Sequence, residues 1–211
     1  MPWLFFSLII ATSYCLGSLS FAVIISQLMK LPNPHTYGSG NPGATNVLRS
    51  GNKIAAILTL VLDAAKGWIA VSAVQYVAAY SLLGLSLNQH QWLIALTSLA
   101  VFLGHLFPIF YKFKGGKGVA TAAGILIAIQ PLLGGLTVLT WLSVALIFRY
   151  SSLSALISAV FAAIYSFIGL DLSPISLAIL TVTVLLIWRH TTNIQNLLAG
   201  QEKKIGKIGN K

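Results

Sequence analysis

Acidic side chains are nearly missing from this sequence: Asp63, Asp171 and Glu202 are the only three among 211 residues. Hard cations such as Mg²⁺ and Ca²⁺ take several oxygen ligands, most of them carboxylates. We therefore expect no metal site, and we expect no cofactor. Cysteine is equally scarce. Because Cys15 stands alone in an apolar run, no intramolecular disulfide can form and no redox compartment is indicated.

Charge of either sign is also rare. Charged residues make up 8% of the chain and apolar residues 57%, whereas soluble domains are about one quarter charged. This composition predicts an all-α integral membrane protein, with a single domain over residues 1–211 and no separate soluble domain. The net charge of +10 raises the question of a nucleic-acid partner. We expect none, because membrane topology accounts for the positions of the cations.

Six apolar runs, one of which we divide in two, predict seven transmembrane helices, since a span needs about 20 residues to cross about 30 Å of hydrocarbon. Residues 119–148 are too many for one span, so we divide this run at Pro131 into a short helix and a second helix. A five-span topology that keeps 119–148 as one overlong helix is the alternative. We expect residues 86–91 to form a loop. The other predicted spans are 3–29, 54–83, 92–111, 152–168 and 175–188.

The lysines and arginines orient this topology. With seven spans, twelve of the thirteen fall on one side of the membrane, which the positive-inside rule identifies as the cytoplasm. The N-terminus is therefore predicted to lie outside and the C-terminus in the cytoplasm. The thirteenth cation, Lys66, lies inside the second span, three residues after Asp63. We expect an internal ion pair there and favour it over a catalytic role.

A glycine-rich segment separates the third span from the fourth. Residues 113–121, FKGGKGVAT, place three glycines and two lysines between apolar runs. Glycine lets backbone amides turn toward a ligand, and such amides at the start of a helix, backed by lysines, form a cradle for phosphate. The segment is not a nucleotide P-loop, because Tyr111 stands at the required glycine and Gly118 at the required Ser or Thr. A positively charged connector is the alternative interpretation.

The first predicted cytoplasmic loop contains a second unusual segment. Residues 37–49, YGSGNPGATNVLR, offer many hydrogen-bond donors with little bulk. If a helix begins near Pro42 or Ala44, Thr45 and Arg49 lie one turn apart on the same face. The alternative is a solvated loop with a helix cap.

Histidines mark two further positions on this side. His190 and Asn193 share a helical face at the point where the chain leaves the membrane, a pattern that also suits an interfacial cap. His105 lies near the end of the third span, where it could instead bond a carbonyl freed by Pro108. Each signal is weak alone. Together, three acid-poor segments on one membrane face (37–49, 104–121 and 189–202) predict a site for a small anionic substrate at the headgroup level.

The three segments resemble known motifs. GSGNPGATNVLR, GHLFPIFYKFKGGKGVAT and HTTNIQNLLAGQE look like the cytoplasmic motifs of the bacterial acyl-phosphate:glycerol-3-phosphate acyltransferases, the PlsY family, and the likeness runs along the whole chain. The resemblance implies transfer of a fatty acyl group from acyl phosphate to the 1-position of glycerol 3-phosphate. The products would be lysophosphatidic acid and inorganic phosphate, early in phospholipid synthesis. It also implies a bacterial inner-membrane enzyme with a cytoplasmic active site, and neither acyl-CoA nor acyl carrier protein as direct donor.

The resemblance also assigns residues. It implies that five catalytic residues bind glycerol 3-phosphate: Ser39, Arg49, Lys117, His190 and Asn193. Those implied to shape the acyl-phosphate loop are Gly115, Gly116 and Gly118. Further candidate phosphate-binding residues are Asn41, Asn46, Lys112, Lys114, His105 and Thr121. The family usually has a charged residue after His190, whereas Thr191 and Thr192 follow it here.

The general base is not evident from the residues. None of the four histidines is followed by an acid at the spacing H-x-x-x-x-D that soluble-domain lipid acyltransferases use, and no Ser-His-Asp set is apparent. We therefore expect substrate assistance, in which a phosphate oxygen takes the hydroxyl proton and no acyl-enzyme forms. His190 as base, with a pKa near its ordinary value of about 6.5, is the alternative.

Two other kinds of protein fit part of the sequence. A transporter or channel for anions would explain the short helix after residue 119, but the polar segments lie on one face rather than at mid-bilayer, and no inverted repeat is visible. A scaffold that binds anionic lipid would explain the basic tail, but not the segments 37–49 and 189–202.

Overall fold

Helices make up every regular element of the part of the chain that the structure describes. This structure is a computed structural model that describes residues 2–79 and 84–205. Its α-helices, numbered α1 to α10, are Pro2–Gly17, Phe21–Leu28, Ala44–Leu48, Lys53–Ala79, Leu87–Leu106, Val119–Ile129, Pro131–Phe148, Ser151–Leu170, Pro174–Arg189 and Thr191–Leu198. A 3₁₀ turn, Ile109–Tyr111, follows α5.

Four of these helices are long and apolar enough to cross a membrane: α4, α5 with its 3₁₀ extension, α7 and α8. Two bent pairs, α1–α2 at 45° and α9–α10 at 58°, raise the number to six if each pair counts as one span. Helix α6 has 11 residues, which at 1.5 Å per residue is too short to cross about 30 Å alone. An all-helical membrane architecture is therefore confirmed, while the count of seven crossings and the orientation stay predictions.

The first predicted span is not one continuous helix. It breaks between Gly17 and Phe21, where the chain turns by 45°. A Cβ on Gly17 would collide with the Val101 backbone, so this glycine allows α1 to pack closely on α5. The Lys66 ammonium donates to the Leu19 carbonyl at 2.7 Å and thereby satisfies a backbone group exposed by the break.

The predicted ion pair inside α4 is present. Lys66 Nζ lies 2.9 Å from Asp63 Oδ1, and the two side chains are 1% and 4% exposed. His105 of α5 approaches the same carboxylate oxygen at 3.6 Å. The pair therefore braces α4 against α5 and against the break after α1, as a buried charge needs several partners to be tolerated.

The loop predicted at residues 86–91 is wrong, because helix α5 already begins at Leu87. Ser86 forms a capping box with Gln89: the Ser86 Oγ accepts from the Gln89 amide at 3.3 Å, and the Gln89 Oε1 accepts from the Ser86 amide at 2.9 Å. Polar composition suggested a loop, but these residues are a helix start. The predicted end of the second span, at 80–83, lies outside the described residues.

The predicted break at Pro131 is confirmed. Gln130 has an extended backbone and Pro131 occupies the first turn of α7, where its missing N–H costs nothing. Helix α6 packs closely on α4, since a Cβ on Gly124 would collide with the Ala64 carbonyl. The predicted short helix after residue 119 thus exists, and its N-terminus follows directly on the glycine-rich segment.

Candidate active site

The glycine-rich segment before α6 is held against the end of α5. The Gly116 amide donates to the His105 carbonyl at 3.1 Å. A Cβ on Gly115 would collide with that same carbonyl, and one on Gly116 with the His105 ring. Gly118 has φ +84°, a backbone conformation that L side chains rarely adopt. All three glycines are therefore required for the path of this segment.

Arg189, at the end of α9, holds the segment from the other side. Its guanidinium donates to the Gly115 carbonyl at 2.9 Å and to the Gly116 carbonyl at 3.1 and 3.2 Å. The rings of Phe107 and Trp188 lie under the guanidinium, at 5.8 and 5.9 Å. Arg189 thus fixes the glycine backbone and adds positive charge beside it.

A side-chain contact joins the glycine-rich segment to α10. The Lys117 ammonium donates to the Asn193 Oδ1. Asn193 Nδ2 in turn donates to the Glu202 Oε1 at 2.7 Å, and the Ser152 hydroxyl donates to that same oxygen at 2.6 Å. Residues from the second and third predicted segments therefore meet, as the sequence suggested.

Burial lowers the pKa of the Lys117 ammonium to about 8. The Glu202 carboxylate opposes this shift, while Arg189 and Arg49 nearby add to it. The first segment reaches the same region, because the Pro42 carbonyl lies 3.0 Å from the position that a Cβ on Gly116 would take. A cation cluster with one carboxylate in it is electrostatically suited to an anionic ligand.

His190, which lies between α9 and α10, is buried beside this cluster. Its side chain is 3% exposed, and its Nδ1 lies 2.8 Å from the Leu186 carbonyl. A carbonyl only accepts hydrogen bonds, so Nδ1 carries the proton and Nε2 is the ring nitrogen left for a substrate. The ring is within electrostatic reach of Lys117, Arg189 and Glu202.

The first segment folds around one asparagine. Asn46, which is 2% exposed, donates to the carbonyls of Pro34 at 2.8 Å and Tyr37 at 3.2 Å, and accepts from the Ser39 amide at 2.9 Å. The predicted helix start is confirmed, because α3 begins at Ala44. Arg49 follows the helix, and its Cδ lies within 3.2 Å of the position that a Cβ on Gly38 would take.

Comparison with known proteins decides the family. A family model described as glycerol-3-phosphate acyltransferase matches residues 7–200. The chain belongs to this family.

Relatives of the same name cover nearly the whole chain. The protein of Burkholderia pseudomallei (strain 1710b) is 56% identical over 197 residues, 92% of this chain and 93% of the relative. The protein of Cupriavidus necator is 56% identical over 196 residues, 92% of this chain and 94% of the relative. The protein of Nitrosomonas eutropha is 54% identical over 200 residues, 95% of this chain and 97% of the relative.

Solved structures agree with this assignment. The crystal structure of PlsY, an integral membrane glycerol 3-phosphate acyltransferase, in its glycerol 3-phosphate form matches with a TM-score of 0.86 and 35% identity over 96% of both chains. Its lysophosphatidic acid form matches with a TM-score of 0.83 and 34% identity. The chain is thus a PlsY-type membrane enzyme that acylates glycerol 3-phosphate. The transporter and scaffold interpretations are excluded.

The predicted site residues of this acyltransferase occupy three kinds of position. Lys117, Asn193 and His190 come together beside the glycine-rich segment, and Arg49 lies within electrostatic reach of Lys117. Ser39 is exposed on the loop that Asn46 organises, and Asn41 is half-buried. Lys112 and Lys114 are exposed, and Thr121 is fully buried at the start of α6. His105 is 8% exposed and packs directly against Gly116.

Three residues of the cluster were not predicted from the sequence: Arg189, Glu202 and Ser152. In the sequence, Arg189 is one of the cations that orient the topology. The signal for Glu202 was its rarity, since an acid at the end of an otherwise basic segment needs a partner. No pattern in the sequence points to Ser152, which lies 50 residues from the carboxylate that it binds.

Proposed function

We propose that this acyltransferase uses acyl phosphate as donor, acylates the 1-hydroxyl of glycerol 3-phosphate, and releases lysophosphatidic acid and inorganic phosphate. The observation that supports this most is the contact between Lys117 and Asn193, which unites the glycine cradle, α10 and the neighbourhood of Arg49. Both substrates carry phosphate. A cluster of cations and glycine amides is suited to both head groups.

In the proposed reaction the 1-oxygen of glycerol 3-phosphate attacks the acyl carbonyl carbon. The new ester C–O bond forms as the bond from that carbon to the bridging phosphate oxygen breaks, and phosphate leaves with the electron pair. The hydroxyl proton passes to a phosphate oxygen. Because phosphate is a good leaving group, positioning and charge stabilisation supply most of the acceleration.

We assign different residues of the cluster to the two substrates. We assign glycerol 3-phosphate to Ser39, Arg49, Lys117, His190 and Asn193, and the phosphate of the donor to the segment around Gly115, Gly116 and Gly118. The exposed Lys112 and Lys114 extend the positive field toward solvent, and Asn41 offers a neutral amide to a phosphate oxygen. His105, Asn46 and Thr121 are assigned to packing and loop support, since their side chains are buried among protein groups.

Substrate assistance is the preferred source of the base. Of the three acids, Asp63 is paired with Lys66, Glu202 Oε1 accepts from Asn193 and Ser152, and Asp171 ends α8. We therefore assign Glu202, the one acid in the cluster, to holding Asn193 rather than to accepting the hydroxyl proton. His190 Nε2 remains the alternative base, but burial lowers the pKa of this ring to about 4, and the ordinary value expected from the sequence is therefore wrong. Acyl groups esterified to Ser39 would contradict direct transfer, and a His190→Gln enzyme that keeps most of its turnover would eliminate the histidine alternative.

Neither acyl-CoA nor acyl carrier protein is proposed as direct donor, because a cradle of small residues matches a bare phosphate head group. The acyl chain would lie along the exposed apolar helices. We place the enzyme in the bacterial inner membrane, with the N-terminus outside and the cluster facing the cytoplasm. The positive-inside distribution of lysine and arginine supports this orientation.

A donor comparison tests the proposal. Purified enzyme is incubated with glycerol 3-phosphate and equal concentrations of acyl phosphate, acyl-CoA or acyl carrier protein of one chain length. We expect lysophosphatidic acid and equimolar phosphate with acyl phosphate alone. Product formation from acyl-CoA at a similar rate would overturn the assignment of the donor.

A further inference from the structure

The turn between α7 and α8 contacts the site from two sides. Ser151 Oγ lies 3.1 Å from Thr45 Oγ1 of α3, and the neighbouring Ser152 hydroxyl lies 2.6 Å from Glu202 Oε1. The segment after α10 also crosses this turn, because the Ile205 amide donates to the Arg149 carbonyl at 2.7 Å. The turn therefore lies against both the first and the third segment of the site.

Ser152 begins a chain of four hydrogen-bonded side chains. Its hydroxyl and Asn193 Nδ2 donate to the same Glu202 oxygen, at 2.6 and 2.7 Å, and Asn193 Oδ1 accepts from the Lys117 ammonium. An amide group has one oxygen and one nitrogen. The bond to Glu202 therefore decides which way Asn193 points, and so which atom it presents to Lys117.

The location of Ser152 favours a fixed carboxylate. Ser152 is 6% exposed and lies in the first turn of the 20-residue helix α8. The N-terminal end of a helix carries partial positive charge that stabilises a nearby carboxylate. Without the serine hydroxyl, Glu202 Oε1 would keep a single side-chain donor, and both the carboxylate and the Asn193 amide would gain rotational freedom.

We infer that Ser152 is a positioning residue for acyl transfer, acting through Glu202 and Asn193 to hold the Lys117 ammonium where the phosphate of glycerol 3-phosphate binds. This inference depends on the proposed role of Lys117. It adds the α7–α8 turn, which none of the three motif segments contains, to the parts of the chain that control the reaction.

The charges around Lys117 make the pH dependence of the reaction a specific test, because simple misfolding would not shift it. The groups that face it are Arg49 after α3, Arg189 of α9, His190 before α10, and Glu202. Glu202 is the one acid in this set, and it raises the pKa of Lys117 against the effect of burial. If the carboxylate moves away, Lys117 loses its proton at a lower pH.

The test compares four variants of the full-length enzyme in lipid: Ser152→Ala, Ser152→Thr, Ser152→Val and Ser154→Ala. Threonine and valine have nearly the same shape, but only threonine has a hydroxyl. Ser154 is a matched control, because it is also buried in α8 and its hydroxyl donates only to the Tyr150 carbonyl of its own helix start, at 2.8 Å. KM and kcat for glycerol 3-phosphate are measured against pH, and thermal stability is measured in parallel.

We expect Ser152→Ala and Ser152→Val to lower kcat/KM for glycerol 3-phosphate about tenfold, the effect of losing one hydrogen bond to a charged group. Their alkaline limb should move to lower pH, while Ser152→Thr and Ser154→Ala keep the wild-type profile. Wild-type kinetics in Ser152→Ala, or an equal loss in Ser154→Ala, would overturn the inference. If Ser152→Ala fails to accumulate in the membrane, the threonine and valine pair decides. An inactive wild-type enzyme would instead count against the proposed reaction.

Discussion

At the scale of one residue, the titration of Lys117, which contacts Asn193, leads to a prediction. Because the pKa of Lys117 is lowered to about 8, its ammonium is charged below that pH and loses its charge as the pH rises through it. The phosphate of glycerol 3-phosphate, with a second pKa of about 6, stays fully ionised over the same range. KM for glycerol 3-phosphate should therefore rise by up to about tenfold per pH unit above this point.

Two substitutions make the assignment of this titration specific. Lys117→Arg keeps the charge at all these pH values, so its KM should be raised throughout but nearly independent of pH. Lys53→Arg, at an exposed lysine at the start of α4, should keep the wild-type profile. An alkaline limb that persists unchanged in Lys117→Arg would show that another group titrates.

The sequence indicates candidate site residues more readily than it indicates the partners of those residues. Arg49, Lys117, His190 and Asn193 were predicted through motifs that remain local in sequence. Arg189 and Glu202 act through contacts 73 and 9 residues away. Neither contact follows a periodic pattern or a fixed spacing that could be recognised in the sequence. Asn46 and His105 lie inside the same motifs, but the structure gives their side chains protein partners: Asn46 bonds the loop backbone and His105 contacts the Asp63 carboxylate.

At the scale of the element, the glycine cradle makes the sharpest prediction. In Gly116→Ala the new methyl group would collide with the His105 ring, so the segment must move away from α5 and lose its bonds to Arg189. We expect a loss of at least about a hundredfold in kcat/KM for the acyl donor, as misplacement of a binding element by about 1 Å can cause. Steady-state kinetics with varied donor measures it.

The control for this variant is Gly135→Ala in α7. A Cβ at that position meets nothing within 4 Å, and alanine favours a helix over glycine by about 1 kcal/mol. Gly135→Ala should therefore be fully active and slightly more stable. A Gly116→Ala enzyme as active as Gly135→Ala would mean that the cradle adapts to a side chain and is not required.

Helix starts were predicted unevenly, for a physical reason. Pro131 interrupts a long apolar run, where proline ends one helix and its fixed φ suits the first turn of the next. The start of α5 depends on the Ser86–Gln89 capping box, whose S-x-x-Q pattern was present but was outweighed by polar composition. The break after Gly17 depends on a close approach to α5 and on Lys66 from α4, which are contacts between distant parts of the chain.

The capping box predicts a stability effect without an effect on catalysis. Ser86→Ala removes the side-chain acceptor for the Gln89 amide and should lower the free energy of unfolding by about 1 kcal/mol. Asn88→Ala, at an exposed position on the same turn, should not. Thermal unfolding in detergent and kcat measured together check this. A Ser86→Ala protein that unfolds at the wild-type temperature would mean that the cap contributes nothing.

At the scale of the whole molecule, the helical membrane architecture was predictable because apolar length and charge bias are properties of composition. The number of complete crossings was not, because α1–α2 and α9–α10 bend by 45° and 58° and α6 is short. Whether such pieces cross the bilayer depends on how neighbouring helices cover them. The sequence gives the length of each apolar segment, but it does not show which neighbouring helices shield that segment from lipid.

Side-specific labelling tests the predicted orientation. In a Cys15→Ser background, single cysteines replace Asn88, at the start of α5, and Gln201, after α10; both positions are exposed. With seven spans and an external N-terminus, an impermeant thiol reagent should label position 88 in intact cells, and position 201 only after the membrane is opened. Labelling of both positions from the same side would contradict the topology.

The central claim is that the three segments form one pocket for phosphorylated substrates. The most direct measurement is a double-mutant cycle on kcat/KM for glycerol 3-phosphate with Lys117→Ala, Asn193→Ala and the double variant, in enzyme shown to be folded. Because the two side chains contact each other, the two losses in kcat/KM should be strongly non-additive. The double variant should be barely less active than the less active of the two single variants. Losses that simply multiply would mean that the two segments act independently, and the single pocket would be contradicted.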